Sequence, residues 1–332
     1  MLKSRHLVFV IILLAGCARQ GAIPNTDKFP PHLVSVTCPN RNQVIMSFDE
    51  ELDSTALLPS TFLITSPHDT ADIRFIARDP NDTRGFSLIL LTSPLIDETY
   101  QISGLVVDSR GNGASIRSSF RASTRQDTTP VSILVSPLDP QTTFPYSIRF
   151  EFSEPLDTSR GMRILTAPPA SEEALSGSWN RELTRYSVRV ADTTLKGLPF
   201  YLVLLPGVSD FAGNRTTEGL AAFVYSDTGL VLRDIRGEVK TSEGRAAYSA
   251  IVLFKTPQDL FALTITDSSG AFIATLEERE ETKIEAWFDR DGNGVYEEEA
   301  SFSEATLPDS VTLITRPAPS PLRFDQLIPQ TQ

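Results

Sequence analysis

The most constraining feature of this 332-residue sequence is that its first two thirds repeat at an interval of about one hundred residues. Residues 44–48 (VIMSF) and 148–152 (IRFEF) occupy equivalent places at an offset of 104, and each run is followed by an acidic segment that ends in Leu-Asp. Apolar and polar side chains alternate in both runs, which is the pattern of a β-strand with one buried face. Repeated short strands of this kind predict an all-β chain built from tandem β-sandwiches.

A second match between the two copies lies near their ends, at residues 108–112 (DSRGN) and 210–214 (DFAGN). In such a turn the Asp carboxylate accepts hydrogen bonds from backbone amides, and Gly or Asn adopts the left-handed conformation that a tight turn requires. Units of this length, with short strands separated by turn residues, favour an Ig-like sandwich. We therefore predict one Ig-like domain at 30–124 and a second at 127–226.

Both units resemble the S-layer-protein type of bacterial Ig-like domain. The resemblance rests on the opening at residues 129–133 (TPVSI), the segment at 152–157 (FSEPLD) and the turn at 210–214. The first copy departs from this pattern, with Asp49 and Glu51 in place of Ser and Pro. In that family such domains are spacers, surface-layer units or modules attached to envelope proteins, so the resemblance implies a structural role or an interaction with envelope proteins.

The pattern changes after residue 229. Residues 250–254 (AIVLF) form a buried apolar run, residues 266–272 (TDSSGAF) combine a turn with the start of a strand, and residues 282–288 alternate again. This region resembles the carboxypeptidase-regulatory-like, prealbumin-like β-sandwich, a non-catalytic domain that accompanies enzymes and surface proteins. The predicted fold class is therefore all-β, with tandem Ig-like β-sandwiches followed by a prealbumin-like β-sandwich at 229–316 and an extended proline-rich tail at 317–332.

The N-terminus has the organisation of an export signal. Lys3 and Arg5 precede an unbroken apolar run at 7–14, which is too short to span a bilayer as a helix. The LAGC segment that ends at Cys17 resembles the bacterial lipobox. That resemblance implies removal of a signal peptide, residues 1–16, and attachment of acyl chains such as palmitate to Cys17. An ordinary signal peptide with a chance cysteine is the alternative.

The residue after the cysteine bears on the location of the mature protein. In lipoproteins of two-membrane bacteria an Asp at this position signals retention in the inner membrane, whereas this sequence has Ala18. The resemblance thus implies a lipid anchor in the cell outer membrane, with the cell membrane as the alternative. Residues 17–29 would form a linker from the anchor, and stable anchoring requires two or more acyl chains.

The net charge bears on the class of partner, and the cysteine count bears on disulfide formation. The chain has 30 Lys and Arg against 42 Asp and Glu, and loss of Lys3 and Arg5 with the signal peptide leaves 28 − 42 = −14. Such an acidic chain repels phosphate backbones, so we expect no nucleic-acid partner. Lipidation of Cys17 leaves Cys38 without a disulfide partner. We interpret Cys38 as a small residue at a strand end, with a reactive thiol as the alternative.

The sequence lacks the motifs of common catalytic sites. It contains three histidines and neither a His-Glu-x-x-His zinc motif nor a Gly-x-Ser-x-Gly nucleophile elbow, so we expect no enzyme. Glu50 and Glu154, at equivalent places in the repeat, are expected to cap or solvate their turns. Trp179 and Trp287 are expected to pack in the core, and if they instead stack on sugar rings, the partner would be a polysaccharide and the protein a carbohydrate-binding or adhesin-type lipoprotein.

One acidic loop has metal-binding chemistry. Positions one, three and five of a calcium loop are Asp289, Asp291 and Asn293, with Gly294 at position six, where the chain must turn sharply. Position twelve is Ala300 rather than Glu, so Glu297 or Glu299 would close the coordination shell. The predicted cofactor is Ca²⁺, and an acidic solvated turn is the alternative. The predicted ligands are Asp289, Asp291, Asn293, Val295, Glu297 and Glu299.

Overall fold

The computed structural model describes residues 28–327, apart from 80, 137–139, 228, 278 and 305–306. The predicted signal peptide, Cys17 and the first part of the predicted linker lie outside the described residues. Within them the chain is folded into strands, with one α-helical turn, α1 (Phe324–Leu327), and no helix that is long and apolar enough to cross a bilayer. The prediction of an all-β chain is confirmed. Short 3-10 turns lie at Ser54–Leu57, Pro59–Thr61, Thr158–Arg160, Glu172–Ala174 and Thr193–Leu195.

The strands fall into three groups, which we call the first (33–121), second (133–224) and third (232–323) modules. The strands of the first module are β1 (Leu33–Asn40), β2 (Gln43–Phe48), β3 (Phe62–Thr65), β4 (Thr70–Ala71), β5 (Ile73–Arg78), β6 (Ser87–Thr92), β7 (Thr99–Val107) and β8 (Gly113–Arg121). The strands of the second are β9 (Ile133–Ser136), β10 (Tyr146–Phe152), β11 (Ile164–Ala167), β12 (Leu175–Trp179), β13 (Arg185–Val190), β14 (Phe200–Leu204) and β15 (Leu220–Val224). The strands of the third are β16 (Leu232–Lys240), β17 (Ile251–Lys255), β18 (Leu260–Ile265), β19 (Ala271–Glu277), β20 (Lys283–Phe288), β21 (Val295–Ser303), β22 (Ser310–Ile314) and β23 (Arg316–Arg323).

The first two modules have the same topology. The sheet order β1-β2-β6-β5 of the first module corresponds strand for strand to β9-β10-β13-β12 of the second. The opposing sheets are β4-β3-β7-β8 and β11-β14-β15, which differ only by the short strand β4. Every pairing within these sheets is antiparallel. The repeat in the sequence is thus a repeat of one β-sandwich.

Apolar and polar side chains alternate along the repeated strands, so one face of each strand is buried in a core. Val44, Met46 and Phe48 on β2 are buried in the core of the first module, and Ile148 and Phe150 on β10 are buried in that of the second. A strand whose buried face carries such side chains has a fixed register, because a shift by one residue would expose the whole set.

The repeated Asp-containing turns are built alike. Asp108 accepts hydrogen bonds from the backbone amide and the side-chain amide of Asn112, at 2.8 and 2.7 Å. Asp210 accepts the same pair of hydrogen bonds from Asn214, both at 2.8 Å. Gly111 and Gly213 take φ values of +94° and +95°, a region that side chains with a Cβ disfavour. Both turns therefore have the chemistry that their sequence predicts.

The third module is a sandwich of a three-stranded sheet, β19-β16-β22, and a five-stranded sheet, β18-β17-β20-β21-β23. Its last strand corrects the sequence analysis. Residues 317–323, expected in a tail beyond the third domain, form most of β23, which pairs antiparallel with β21 at the edge of the five-stranded sheet. Prolines are tolerated there because an edge strand uses the hydrogen-bonding groups of only one side.

The second and third modules share a hydrophobic core. On β14, Phe200 and Leu202 point into the core of the second module, whereas Tyr201 and Val203 belong to the core cluster of the third. Strand β18 of the third module packs against β11, β14 and β15 of the second. All five residues of β14 are buried because sheet covers the strand on both faces.

Candidate metal centre

The acidic loop connects two strands of a hairpin. Strand β20 ends at Phe288, β21 begins at Val295, and Phe288 pairs with Glu298 across the ladder. Gly292 and Gly294 reverse the chain with φ values of +72° and +88°. These left-handed positions explain why the loop contains glycine at both places. The loop has strands on both sides, as the sequence indicates, and not the helices of an EF-hand.

Three of the predicted ligands converge in this loop. Asp289, Asp291 and Glu297 each offer a carboxylate oxygen, and these oxygens all lie within 4.8 Å of one another. Asp289 is half-buried at the base of the loop, Glu297 is half-buried on β21, and Asp291 is exposed at the tip. This acidic triad has the hard oxygen donors that a divalent cation such as Ca²⁺ prefers.

Backbone amides orient the first carboxylate of the triad. Asp289 accepts hydrogen bonds from the amides of Gly292 at 2.8 Å and Gly294 at 2.7 Å, one on each oxygen. The pKa of Asp289 is raised above its ordinary value. Burial is the largest cause and the negative charge of Glu297 adds to it, while the hydrogen bonds from the two amides act in the opposite direction. A cation in the triad would offset the electrostatic repulsion between Asp289 and Glu297.

Asn293 contacts the triad through its amide nitrogen. Its Nδ2 donates to Asp291 at 2.9 Å and to Glu297 at 3.4 Å, while its Oδ1 accepts from the amide of Val295 at 2.7 Å. An amide nitrogen cannot ligate a cation, so Asn293 would have to turn its oxygen inward on metal binding. In the present geometry the oxygen ligands come from the three carboxylates, and Asn293 supplies none.

The structure does not bring Glu299 into the triad. Glu299 lies further along β21, opposite Trp287, and its carboxylate is 3.8 Å from the Arg316 guanidinium. Its neighbour Glu298 is buried and forms an ion pair of 2.6 Å with Arg290 and a hydrogen bond with Thr315. The sequence contains no signal for the second interaction, because Thr315 reaches Glu298 only through the tertiary fold.

A cleft lies beside the loop, between the second and third modules, with a volume of about 410 Å³. Arg163 and Arg215 line it from the second module, and Tyr248, Asp289 and Asn293 from the third. The side chain of Arg215 is exposed and forms no ion pair or hydrogen bond within the described chain. The cleft thus combines an unpaired cation, an aromatic ring and amide groups.

The other candidate residues have different surroundings. Trp179 and Trp287 are partly buried and pack against the cores of the second and third modules. Cys38 is half-buried, its thiol donates to the carbonyl of Asn40 at 3.2 Å, and burial raises its pKa. Glu154 departs from the solvated turn that we expected, because its carboxyl is half-buried at a junction between modules.

No protein-family model matches this sequence, and no curated protein matches it either. Among solved structures, the S-layer protein rSbsC(31-844) is similar over 85% of this chain and 41% of its own, with 9% identity and a TM-score of 0.29. A fragment of Escherichia coli alpha-2-macroglobulin, domains MG0-NIE-MG1, is similar over 83% and 94%, with 9% identity and a TM-score of 0.25. The SGBP-B protein of a Bacteroides ovatus glucan utilization locus is similar over 87% and 71%, with 10% identity and a TM-score of 0.18.

The chain spans only 41 to 55% of the length of the S-layer structures to which it is similar.

Proposed function

We propose that this chain is a non-catalytic lipoprotein of the cell envelope, anchored in the outer membrane through acylated Cys17. Its β-sandwich modules form a structural spacer or a scaffold for envelope proteins. The observation that carries the proposal is that packed interfaces, in addition to linkers, join the modules to one another. Packed junctions suit a protein that holds a partner at a set distance from a membrane, whereas flexible linkers would leave that distance undefined.

The junction between the second and third modules is the stronger of the two. Tyr201 is 3% exposed, and its hydroxyl donates to the backbone carbonyl of Thr275 in the third module at 2.8 Å. It belongs to a core built mainly from the third module, to which the second module also contributes Leu165, Ala167, Val203 and Leu205. Large apolar interfaces of this kind oppose relative motion of domains.

The junction between the first and second modules is smaller and more polar. Phe75 and Phe211 stack across it with ring centroids 5.6 Å apart and planes 7° apart. Arg181 of the second module donates to the backbone carbonyl of Ser54 in the first at 2.8 Å. These contacts orient the first module, but the cores of the first and second modules remain separate clusters.

The rigidity that a spacer requires can be measured by pulsed electron paramagnetic resonance on the full acylated chain. Spin labels at two exposed positions, Leu105→Cys in the first module and Ile273→Cys in the third, in a Cys38→Ser background, report the distance across all three modules. We expect one narrow distance distribution at acidic pH. A distribution as broad as that of a control with a Gly-Ser insertion between residues 124 and 127 would contradict the spacer proposal.

The lipid anchor can be tested with a matched pair of cysteine variants. The sequence has two cysteines, so Cys17→Ser should abolish metabolic labelling by a palmitate analogue, whereas Cys38→Ser should leave it unchanged. Membrane fractionation of the same strains then distinguishes the outer membrane from the cell membrane. Equal labelling of both variants would exclude an anchor at Cys17.

The acidic triad supports a further part of the proposal, that the loop at 289–297 binds Ca²⁺. With a dissociation constant of ~10⁻⁴ M, typical of extracellular modules, millimolar Ca²⁺ would stabilise the fold by roughly 1.4 kcal/mol. In a cooperative unit of about 200 residues this corresponds to a rise in Tm of roughly 3–6 °C.

Thermal unfolding of the full chain in millimolar Ca²⁺ and in chelator measures this shift. Asp291→Ala, which removes a ligand oxygen, should abolish it, and Glu299→Ala should not, because Glu299 lies outside the triad. Identical midpoints in Ca²⁺ and chelator, or an Asp291→Ala variant that still responds, would contradict calcium binding at this loop.

A second candidate function, binding of a polysaccharide, is favoured by the cleft. The ring of Tyr248 is 48% exposed and its edge packs against Phe288, which holds it in place beside the unpaired Arg215. Affinity electrophoresis in gels that contain neutral or acidic polysaccharides tests this function. Binding should be lost in Tyr248→Ala and retained in Ile273→Ala, which changes an exposed residue outside the cleft. If no gel retards the protein, polysaccharide binding is contradicted and the spacer role remains.

A further inference from the structure

The junction between the first and second modules contains a small cavity of about 130 Å³, lined by both polar and apolar side chains. Glu154, which follows β10, lines it from the second module, and Asp127 lines it from the linker. The side chains that line it from the first module are uncharged, namely the amides of Asn40, Asn42, Gln43 and Asn81 and the apolar Ile89 and Leu91. No Lys or Arg of the described chain lines this cavity, so no cation faces the acidic groups.

Glu154 is the carboxyl group in this junction that lacks a hydrogen-bond donor. Asp127 accepts from Asn40 Nδ2 at 2.9 Å and from the amide of Thr129 at 3.1 Å. Asp210, which also faces Glu154, accepts from the amides of Gly213 and Asn214 and from the Asn214 side chain. In the described chain no donor contacts Glu154, so a proton on its own carboxyl would let it donate to a neighbouring acid or amide.

We propose that the junction between the first and second modules is a pH-sensitive joint, which is closed when Glu154 carries a proton and loosened when Glu154 is ionised. The acidic groups that face Glu154 are Asp127 in the linker and Asp210 in the turn of the second module, while the first module lines the cavity with uncharged side chains. Ionised Glu154 would place another negative charge among them without a counter-ion. Opening the junction exposes Glu154 to water, which relieves its burial and screens the repulsion from Asp127 and Asp210.

The direction of the pH dependence follows from linkage. Burial, together with repulsion from Asp210 and Asp127, raises the pKa of Glu154 to about 7 in the closed junction, from an ordinary value of 4.5. The closed junction therefore binds the proton more tightly than the open one. The stability that this proton gives to the closed junction, relative to the open one, is fully present below pH 4.5 and is lost as the pH rises through about 7. Between pH 5.5 and 8.5 the ratio of closed to open junctions would fall by up to about thirtyfold.

The test is a distance measurement across this junction in the full chain. Spin labels at Leu105→Cys in the first module and Leu198→Cys in the second, in a Cys38→Ser background, occupy exposed positions. We expect a narrow distance distribution at pH 5.5 and a broader one at pH 8.5. Phe75→Ala, which removes the aromatic stack, should give the broader distribution at both pH values.

Two substitutions at equivalent places in the repeat assign the effect to one carboxyl. Glu154→Gln, which is neutral at every pH, should give the narrow distribution at both pH values. Glu50→Gln, the equivalent position in the first module, should respond as the parent does. His32 and His68 are retained in both variants, so any contribution from histidine is the same in both. A parent distribution that does not change with pH, or a Glu154→Gln variant that still responds, would overturn the inference.

Discussion

The shared core predicts that the second and third modules unfold together and that Tyr201 couples them. Tyr201 lies on β14 with its ring in the cluster of the third module, while its neighbours Phe200 and Leu202 point into the core of the second. Substitution of Tyr201 by Ala therefore removes contacts between modules and leaves the core of the second module intact. The free energy of unfolding lost in Tyr201→Ala should therefore come from the interaction between the two modules.

The magnitude follows from what the substitution removes. Truncation of a buried aromatic side chain to Ala costs about 3–5 kcal/mol, including the cavity that remains. The hydrogen bond from the Tyr201 hydroxyl to Thr275, 2.8 Å long, contributes about 1 kcal/mol. Tyr201→Phe removes only this hydrogen bond, so it should lower the free energy of unfolding by about 1 kcal/mol and preserve the coupling.

Two tryptophans make the assay specific for each module. The chain contains Trp179 in the second module and Trp287 in the third and no other. Fluorescence of a Trp287→Phe variant reports unfolding of the second module, and fluorescence of a Trp179→Phe variant reports the third. In urea the two transitions should coincide in these parents and in Tyr201→Phe, and they should separate when Tyr201→Ala is added. Transitions that are already separate in the parents, or that stay coincident in Tyr201→Ala, would refute the reasoning.

Two further predictions concern the first two modules. Gly213→Ala should lower the free energy of unfolding by about 1–2 kcal/mol, because Gly213 has a φ of +95°. The matched control is Gly213→Asn. Asn tolerates the left-handed region better than Ala does, so this variant should lose less stability in the same urea titration. The half-buried Cys38 thiol, whose pKa is raised by burial, should react with Ellman's reagent at pH 8 more slowly than free cysteine. A rate equal to that of free cysteine, or one that does not rise when urea unfolds the chain, would contradict this protection.

The parts of the fold that depend on local pattern could be predicted from the sequence. The alternation at 44–48 and 148–152 predicts strands with one buried face, and both segments lie in strands whose apolar residues are buried. The turns at 108–112 and 210–214 follow from the chemistry of Asp, Gly and Asn, since each interaction in them joins residues at most four apart. The acidic triad follows for the same reason, because Asp289, Asp291 and Glu297 lie within nine residues of one β-hairpin.

The strand β23 shows where local pattern fails. A segment with three prolines in eight residues, Arg316–Arg323, carries no strand signal, because proline removes backbone donors. Its place in the sheet depends on an open edge beside β21, which exists only once the five-stranded sheet has formed. The exclusion of Glu299 from the triad has a similar cause, because the pleat and pairing of β21 direct it toward Arg316.

The sequence by itself thus determined the all-β class, the repeated sandwich, its tight turns and the acidic loop, because each depends on residues that are near one another along the chain. Only the tertiary structure decided which faces the modules bury against one another. The apolar residues of β14 alternate between two cores because β18, some sixty residues later, covers its outer face. Glu154 acquires its unusual surroundings because the first module closes over it. Burial and charge at a junction depend on residues that are far apart in the chain, so no local pattern records them.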